Sequence, residues 1–90
     1  MRAIPQDDIS LSDGNWYDEQ RIPDGSREVV IYSDYDIRAV WNRATADPAS
    51  TGARLTAGVT HKLDCRGSKW MHLKRVPAST TTVEITYLIG

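Results

Sequence analysis

Residues 28–42, EVVIYSDYDIRAVWN, constrain this chain more than any other stretch. Val29, Val30, Ile31 and Tyr32 are β-branched or aromatic, and so are Ile37, Val40 and Trp41. Such side chains fit a pleated, half-buried surface better than a helix. Between the two runs lie Ser33, Asp34, Tyr35 and Asp36. Asp and Ser hydrogen-bond their own backbone and close tight turns, so the stretch predicts a β-hairpin. Alternation sets Ile37, Ala39 and Trp41 on one face of the second strand. The first strand is apolar on both faces, which predicts that neither side is fully wet.

The rest of the chain repeats this grammar of short alternating runs and turn signals. Met1 to Gln6 reads as a loose arm, because Pro5 blocks regular pairing and chain ends are loose unless tied down. Residues 1–8 are therefore expected to form a flexible N-terminal arm and residues 9–90 a single domain. Ile9, Ser10 and Leu11 alternate and then meet Asp13-Gly14, a hairpin signal with Asn15, Trp16 and Tyr17 starting the return strand. Ile22-Pro23-Asp24-Gly25 fits a type I turn, with proline second and glycine fourth. Residues 45–52, TADPASTG, have the composition of an exposed loop, and Pro48 excludes a helix through them.

Beyond that loop, Val59, His61, Leu63 and Cys65 alternate with polar residues, as do Met71 and Leu73, and then Val83, Ile85, Tyr87 and Ile89. Helical periodicity is absent throughout. The prediction is an all-β fold: a small antiparallel β-sandwich or barrel of about six to eight short strands. Its expected core is Val29, Ile31, Ile37, Ala39, Trp41, Val59, Leu63, Cys65, Met71, Leu73, Val83, Ile85 and Tyr87.

Ninety residues make a thin core, and Cys65 is the sole cysteine, so no intrachain disulfide staples it. Association between copies is a common substitute. No apolar run approaches the roughly 20 residues of a membrane-spanning helix, and no signal peptide opens the chain, which points to a reducing cytosol and no membrane partner. The net charge of −1 argues against nucleic acid as a partner. Residues 1–30 nevertheless carry seven acidic against three basic side chains, and residues 61–90 five basic against two acidic. Such blocks are usually solvated faces, and they also suit a head-to-tail contact between copies.

No constellation announces a chemistry. His61, Asp64, Cys65 and His72 are metal-ligand types, but on strands Asp64 points away from His61 and Cys65, and no close Cys or His pair accompanies them. Cys65 lacks an identifiable base and orienting group, so neither an enzyme nor a cofactor is expected. Asp34 and Asp36, with Asp47, are better turn-formers than calcium ligands. Lys69, Trp70, His72 and Lys74 hint at a single-strand-binding sheet, against which the acidic first third weighs. Trp16, Tyr17 and Trp70 are candidate platforms for a sugar ring, and each is equally a candidate for ordinary packing.

The second faces of the strands hold the remaining apolar side chains: Val30, Tyr32, Val40, Trp70, His72 and Leu88. United in one patch they exceed what a soluble monomer tolerates, so this set is the expected interface of a homo-oligomer.

From Val29 onward the chain resembles small virion proteins of tailed bacteriophages. The likeness lies in Val29-Val30-Ile31-Tyr32, Ile37-Arg38-Ala39-Val40-Trp41, Gly52-x-x-Leu55-x-x-Gly58, Trp70-Met71-His72-Leu73 and Val83-Glu84-Ile85-Thr86-Tyr87. It covers about two-thirds of the chain and is a pattern rather than a diagnostic motif. It implies a non-enzymatic structural β-sandwich that assembles as a symmetric oligomer, often a trimer, on a capsid or on a tail and its fibres. The resemblance thus implies a capsid decoration module in the virion, assembled in the host bacterial cytoplasm, with a major capsid or tail protein as partner. Residues 1–28 lie outside it, and Arg2, Ile4, Asp7 and Asp8 are expected to serve as a docking arm. The competing expectation is a carbohydrate-binding module of a phage tail or secreted enzyme.

Overall fold

Alternation with a period of two, broken by turn residues, produces short antiparallel strands packed as a β-sandwich. The computed structural model describes residues 2–42 and 52–90, and these hold nine strands and no helix. One sheet is built from β1 (Arg2–Pro5), β2 (Ile9–Leu11), β9 (Thr81–Ile89), β4 (Ser26–Ser33) and β7 (His61–Asp64). In it β1 and β2 lie end to end along one edge of β9, while β4 takes the other edge and β7 flanks β4. The second sheet runs β3 (Tyr17–Arg21), β8 (Trp70–Arg75), β5 (Ile37–Asn42) and β6 (Ala53–Leu55).

The inner faces meet in a core of Ile9, Leu11, Ile22, Val29, Ile31, Ile37, Ala39, Leu55, Cys65, Met71, Leu73, Val83, Ile85 and Tyr87, with Tyr17, Trp41 and Leu63 packed against its margin. Fully burying each large aliphatic side chain contributes roughly 1.5–3 kcal/mol. Ten of the thirteen expected core residues are in it. Trp41 and Leu63 are only half-buried, and Val59 is 50% exposed on the loop that precedes β7. Ile9, Leu11, Ile22 and Leu55 complete the core from short strands and a turn whose apolar content is too sparse to stand out alone.

Both expected hairpins are absent. β4 and β5 lie in opposite sheets, and so do β2 and β3 on either side of Asp13-Gly14. The reason is visible in the aspartates of the turn. The Asp34 carboxylate accepts the Thr82 N–H at 2.8 Å, and its own N–H donates to Thr82 O at 3.3 Å. Asp36 accepts the Ala57 N–H at 2.8 Å. Both side chains are spent on distant segments, Asp34 on the start of β9 and Asp36 on the loop after β6, instead of on closing a local turn. Crossing to the opposite sheet also sets Val29 and Ile31 against Ile37 and Ala39 across the core, which a flat hairpin cannot do.

The N-terminal segment differs as well. Arg2–Pro5 is a paired edge strand, in register from Arg2↔Ile89 to Pro5↔Thr86. Proline is tolerated there because an edge position leaves its missing N–H unneeded. Gln6 N–H then bonds Ile85 O at 2.9 Å, and the register slips by one residue before Ile9 meets Val83. Only Asp7 and Asp8 stand clear of the sheet, as an exposed bulge. Removing this segment would bare one edge of β9, so it belongs to the domain and not to a free arm. At the next turn the glycine sits one place earlier than expected. Ser26 N–H closes onto Pro23 O at 3.2 Å, and Gly25 occupies the third position with φ 81°, the conformation a type II turn reserves for glycine. Of the loop proposed over residues 45–52, residues 45–51 lie outside the described residues.

One side-chain hydrogen bond bridges the two sheets inside the core. Gln20 Nε2 on β3 donates to the hydroxyl of Tyr87 on β9 at 3.0 Å, and a second bond from the same amide reaches Arg21 O at 3.2 Å. Tyr87 is fully buried, and burial pushes its phenol above the ordinary range, so it stays protonated. Tyr87→Phe strands a buried amide donor and is expected to cost about 1–2 kcal/mol, while adding Gln20→Leu to it recovers most of that loss. Urea unfolding of the two single variants and the double variant measures the coupling; additive losses would show that the bond joins nothing.

Candidate functional site

The strands run so that the sandwich has two distinct ends. At one end lie residues 33–36, 56–60 and 76–80, the connections after β4, β6 and β8. Every large apolar side chain that is well exposed among the described residues stands here: Tyr32, Tyr35, Val59 and Val76. Elsewhere such residues are inside or half-covered. A tip of two valines and two tyrosines is an amphipathic contact surface of the kind enriched in interfaces.

The tip is held in shape from beneath. Asp36 takes Arg54 Nη2 at 2.8 Å and Ala57 N–H at 2.8 Å, and its own carbonyl accepts the Val76 N–H at 3.1 Å. Gly58, at φ 73°, donates to Ser33 O at 3.0 Å, and the His61 ring lies 3.0 Å from Thr56 O. With the Asp34–Thr82 pair, three loops become one unit. The Ala57 N–H, helped by the Arg54 guanidinium, holds the Asp36 carboxyl below the ordinary value of 3.8. Asp34 and Asp36 are thus braces to distant segments, where the sequence led one to expect side chains that close their own turn. Asp47 lies outside the described residues.

The expected interface set is divided by the fold. Val30, Tyr32 and Leu88 share the outer face of the first sheet, where Val30 and Tyr32 border an open depression of about 320 Å³ with Thr60, Glu84 and Thr86. Val40, Trp70 and His72 belong to the outer face of the other sheet, on the opposite side of the molecule. His72 is fully buried there, between Trp70 and Lys74 along β8 and beside Val40 on β5. One continuous patch of six therefore does not form. Of the expected docking residues, Ile4 is half-buried opposite Tyr87, Arg2 is an exposed strand residue, and Asp7 and Asp8 are the bulge.

Two of the three candidate ring platforms carry a cation, and the third, Tyr17, packs against the margin of the core. The Arg21 guanidinium stands 5.6 Å from the centre of the Trp70 ring, and the Lys74 ammonium 5.6 Å from that of Trp16. Each cation takes one face of its ring, where it competes with a base or a sugar. The metal-ligand types are separated, with His61 and Asp64 on the first sheet and His72 on the second. Among the described residues no group of three His, Cys, Asp or Glu converges. Burial raises the pKa of the Cys65 thiol and leaves it a core side chain.

The opposite end of the sandwich carries a polar cleft between the turns at Gly25 and Gly67. The charge blocks of the sequence do not become poles of the fold. Lys62 on β7 pairs with Glu28 on β4 at 3.7 Å, which joins basic back to acidic front across strands, while Arg66 pairs locally with Asp64 at 2.7 Å. Tyr35 and Val76 escaped the sequence reading, and Val59 was assigned to the core. The usable signal was apolar residues inside turn-rich stretches, beside Asp34, Gly58 and Pro77.

Set against known proteins, the chain matches no family model, no curated protein and no solved structure.

Because the folded carboxyl of Asp36 titrates below its ordinary value, its contribution is present above that value and lost as pH falls through the folded one. Acidification below about pH 4 should therefore free the Ala57 amide while core amides such as Ile31 remain protected. Residue-resolved hydrogen exchange reads this, and Asp36→Asn should remove the pH step. An Ala57 exchange rate that follows only intrinsic chemistry across that range would mean the brace carries no load.

Proposed function

We propose that this chain is a non-enzymatic virion structural protein, and specifically a capsid decoration module that self-associates on the particle. The observation that carries the reading is the tip: Tyr35, Val59 and Val76 on three loops, with Tyr32 at the end of β4, locked by Asp34 and Asp36. Braced loops lose little conformational entropy on contact, which is what a surface built for docking needs. The sequence resemblance to small virion proteins of tailed phages supports the choice of partner, a major capsid or tail protein. The occupied faces of Trp16 and Trp70 weigh against the carbohydrate reading.

In this reading the tip meets the particle, and Val30 and Leu88 on the outer face of the first sheet contact a second copy. The module needs no chemistry. Binding only the assembled lattice stabilises that state by the free energy of binding, and a trimer multiplies a weak contact through effective concentration. Assembly takes place in the host bacterial cytoplasm, and the protein resides in the virion.

Two experiments separate the surfaces. In sedimentation velocity at micromolar concentration the protein should run as an oligomer, and Val30→Lys with Leu88→Lys should shift it to monomer. Tyr35→Ser with Val59→Asp should leave the oligomer intact but weaken binding to undecorated capsids by about tenfold or more, the scale of a lost hot spot. A stable monomer that leaves capsids bare would sink the proposal.

A further inference from the structure

The cleft at the end opposite the tip has the composition of an anion site. Its volume is about 330 Å³, and it is lined by Pro23, Asp24, Gly25, Ser26, Arg27, Arg66, Gly67, Ser68 and Lys69. Three cations thus face one carboxylate. Two glycine turns form its walls, Gly25 at φ 81° and Gly67 at φ 80°. They are fixed to each other by main-chain bonds made at the cationic residues themselves: Cys65 N–H to Arg27 O at 3.0 Å, and Ile22 N–H to Lys69 O at 2.8 Å. The cations therefore project from pinned backbone.

Their side chains are also partly set in advance. Asp64 holds Arg66 through Nε at 3.2 Å and Nη2 at 2.7 Å, and the Arg66 hydrogen bond keeps the Asp64 carboxyl down to about 2. The guanidinium is thereby oriented with further N–H donors left over. Asp24 is drawn toward Arg21, 3.7 Å away. Arg27 and Lys69 have no carboxylate within ion-pair distance among the described residues. The lining therefore carries an excess of two positive charges.

We propose that this cleft binds a dianionic oxyanion, the phosphate group of a small monoester, between Arg27, Arg66 and Lys69. A dianion matches the excess charge, and Arg offers the forked donors that tetrahedral oxyanions favour. The volume leaves room for part of the molecule that bears the group. This site is independent of the assembly reading and stands at the other end of the fold from the tip.

Amide NMR of the full chain at constant ionic strength tests it, with sodium phosphate replacing chloride. Saturable shifts confined to residues 24–27 and 66–69 are expected. Arg27→Gln and Lys69→Gln should each weaken binding about tenfold, while Asp24→Asn should tighten it by removing a like charge. Arg38→Gln, on the outer face of the other sheet, should change nothing. Glucose 6-phosphate should bind above both glucose and the monoanionic glucose 6-sulfate, and equal binding of the two esters would overturn the match to a dianion. Shifts that chloride reproduces, that do not saturate, or that survive Arg27→Gln with Lys69→Gln would overturn it. Tighter binding of a short single-stranded oligonucleotide than of either ester would replace it with a nucleic-acid site.

Discussion

The structure depends on burying one face of β9. Thr81, Val83, Ile85 and Tyr87 are all fully or nearly fully buried, and the strand pairs with β1 and β2 on one edge and β4 on the other. The first sheet is assembled around it, and the second sheet is the lid that its inner face requires. In a chain of ninety residues no second core could compensate for losing this one. The Gln20–Tyr87 bond adds direction to a contact that burial alone leaves non-directional, because a buried amide and phenol satisfy each other in one arrangement of the sheets.

A consequence of this arrangement is that neighbours in sequence are seldom neighbours in a sheet. From β2 to β5, and again from β6 to β9, each connection passes from one sheet to the other. Pairing is therefore almost wholly between distant segments, which places folding in the slow range of β-sandwiches. The same crossings explain why both ends of the molecule are built from loops with different origins. Loops that meet only in the folded state are held by side-chain braces such as Asp34 and Asp36 at one end. At the other they are held by main-chain bonds across the two glycine turns.

The two ends answer to different physics. The tip exposes apolar surface on a rigid base, so its value lies in excluding water on contact. The far cleft gathers positive charge in an open setting, where attraction is screened by salt and depends on how well the donors are pre-set. Between them the outer sheet faces carry cross-strand pairs, among them Lys62 with Glu28 and Arg21 with Trp70. Edge strands are protected likewise: β1 by its short length and Pro5, and β3 by a register shift between Tyr17 and Gln20.

The sequence alone determined the fold class and most of the core. Period-two runs around Val29, Ile37, Met71 and Val83 can bury one face only as strands, and no stretch offered a helical stripe. It also determined which residues turn the chain, since Gly25, Asp34 and Asp36 have local reasons to sit in turns. Sheet membership was decided only in three dimensions. Whether Ile31 and Ile37 lie side by side or face to face costs nothing locally, and covering the apolar inner face of β9 settles it. The same decision divided Val30, Tyr32 and Leu88 from Val40, Trp70 and His72, because alternation reports that two residues leave the core but not on which side. It also tied Arg2–Pro5 to β9, a pairing between the two ends of the chain that no local pattern encodes. The tip and the cleft are likewise tertiary. Tyr35, Val59 and Val76, or Arg27, Arg66 and Lys69, are scattered along the chain and become sites only when strands that share no local code bring their loops together.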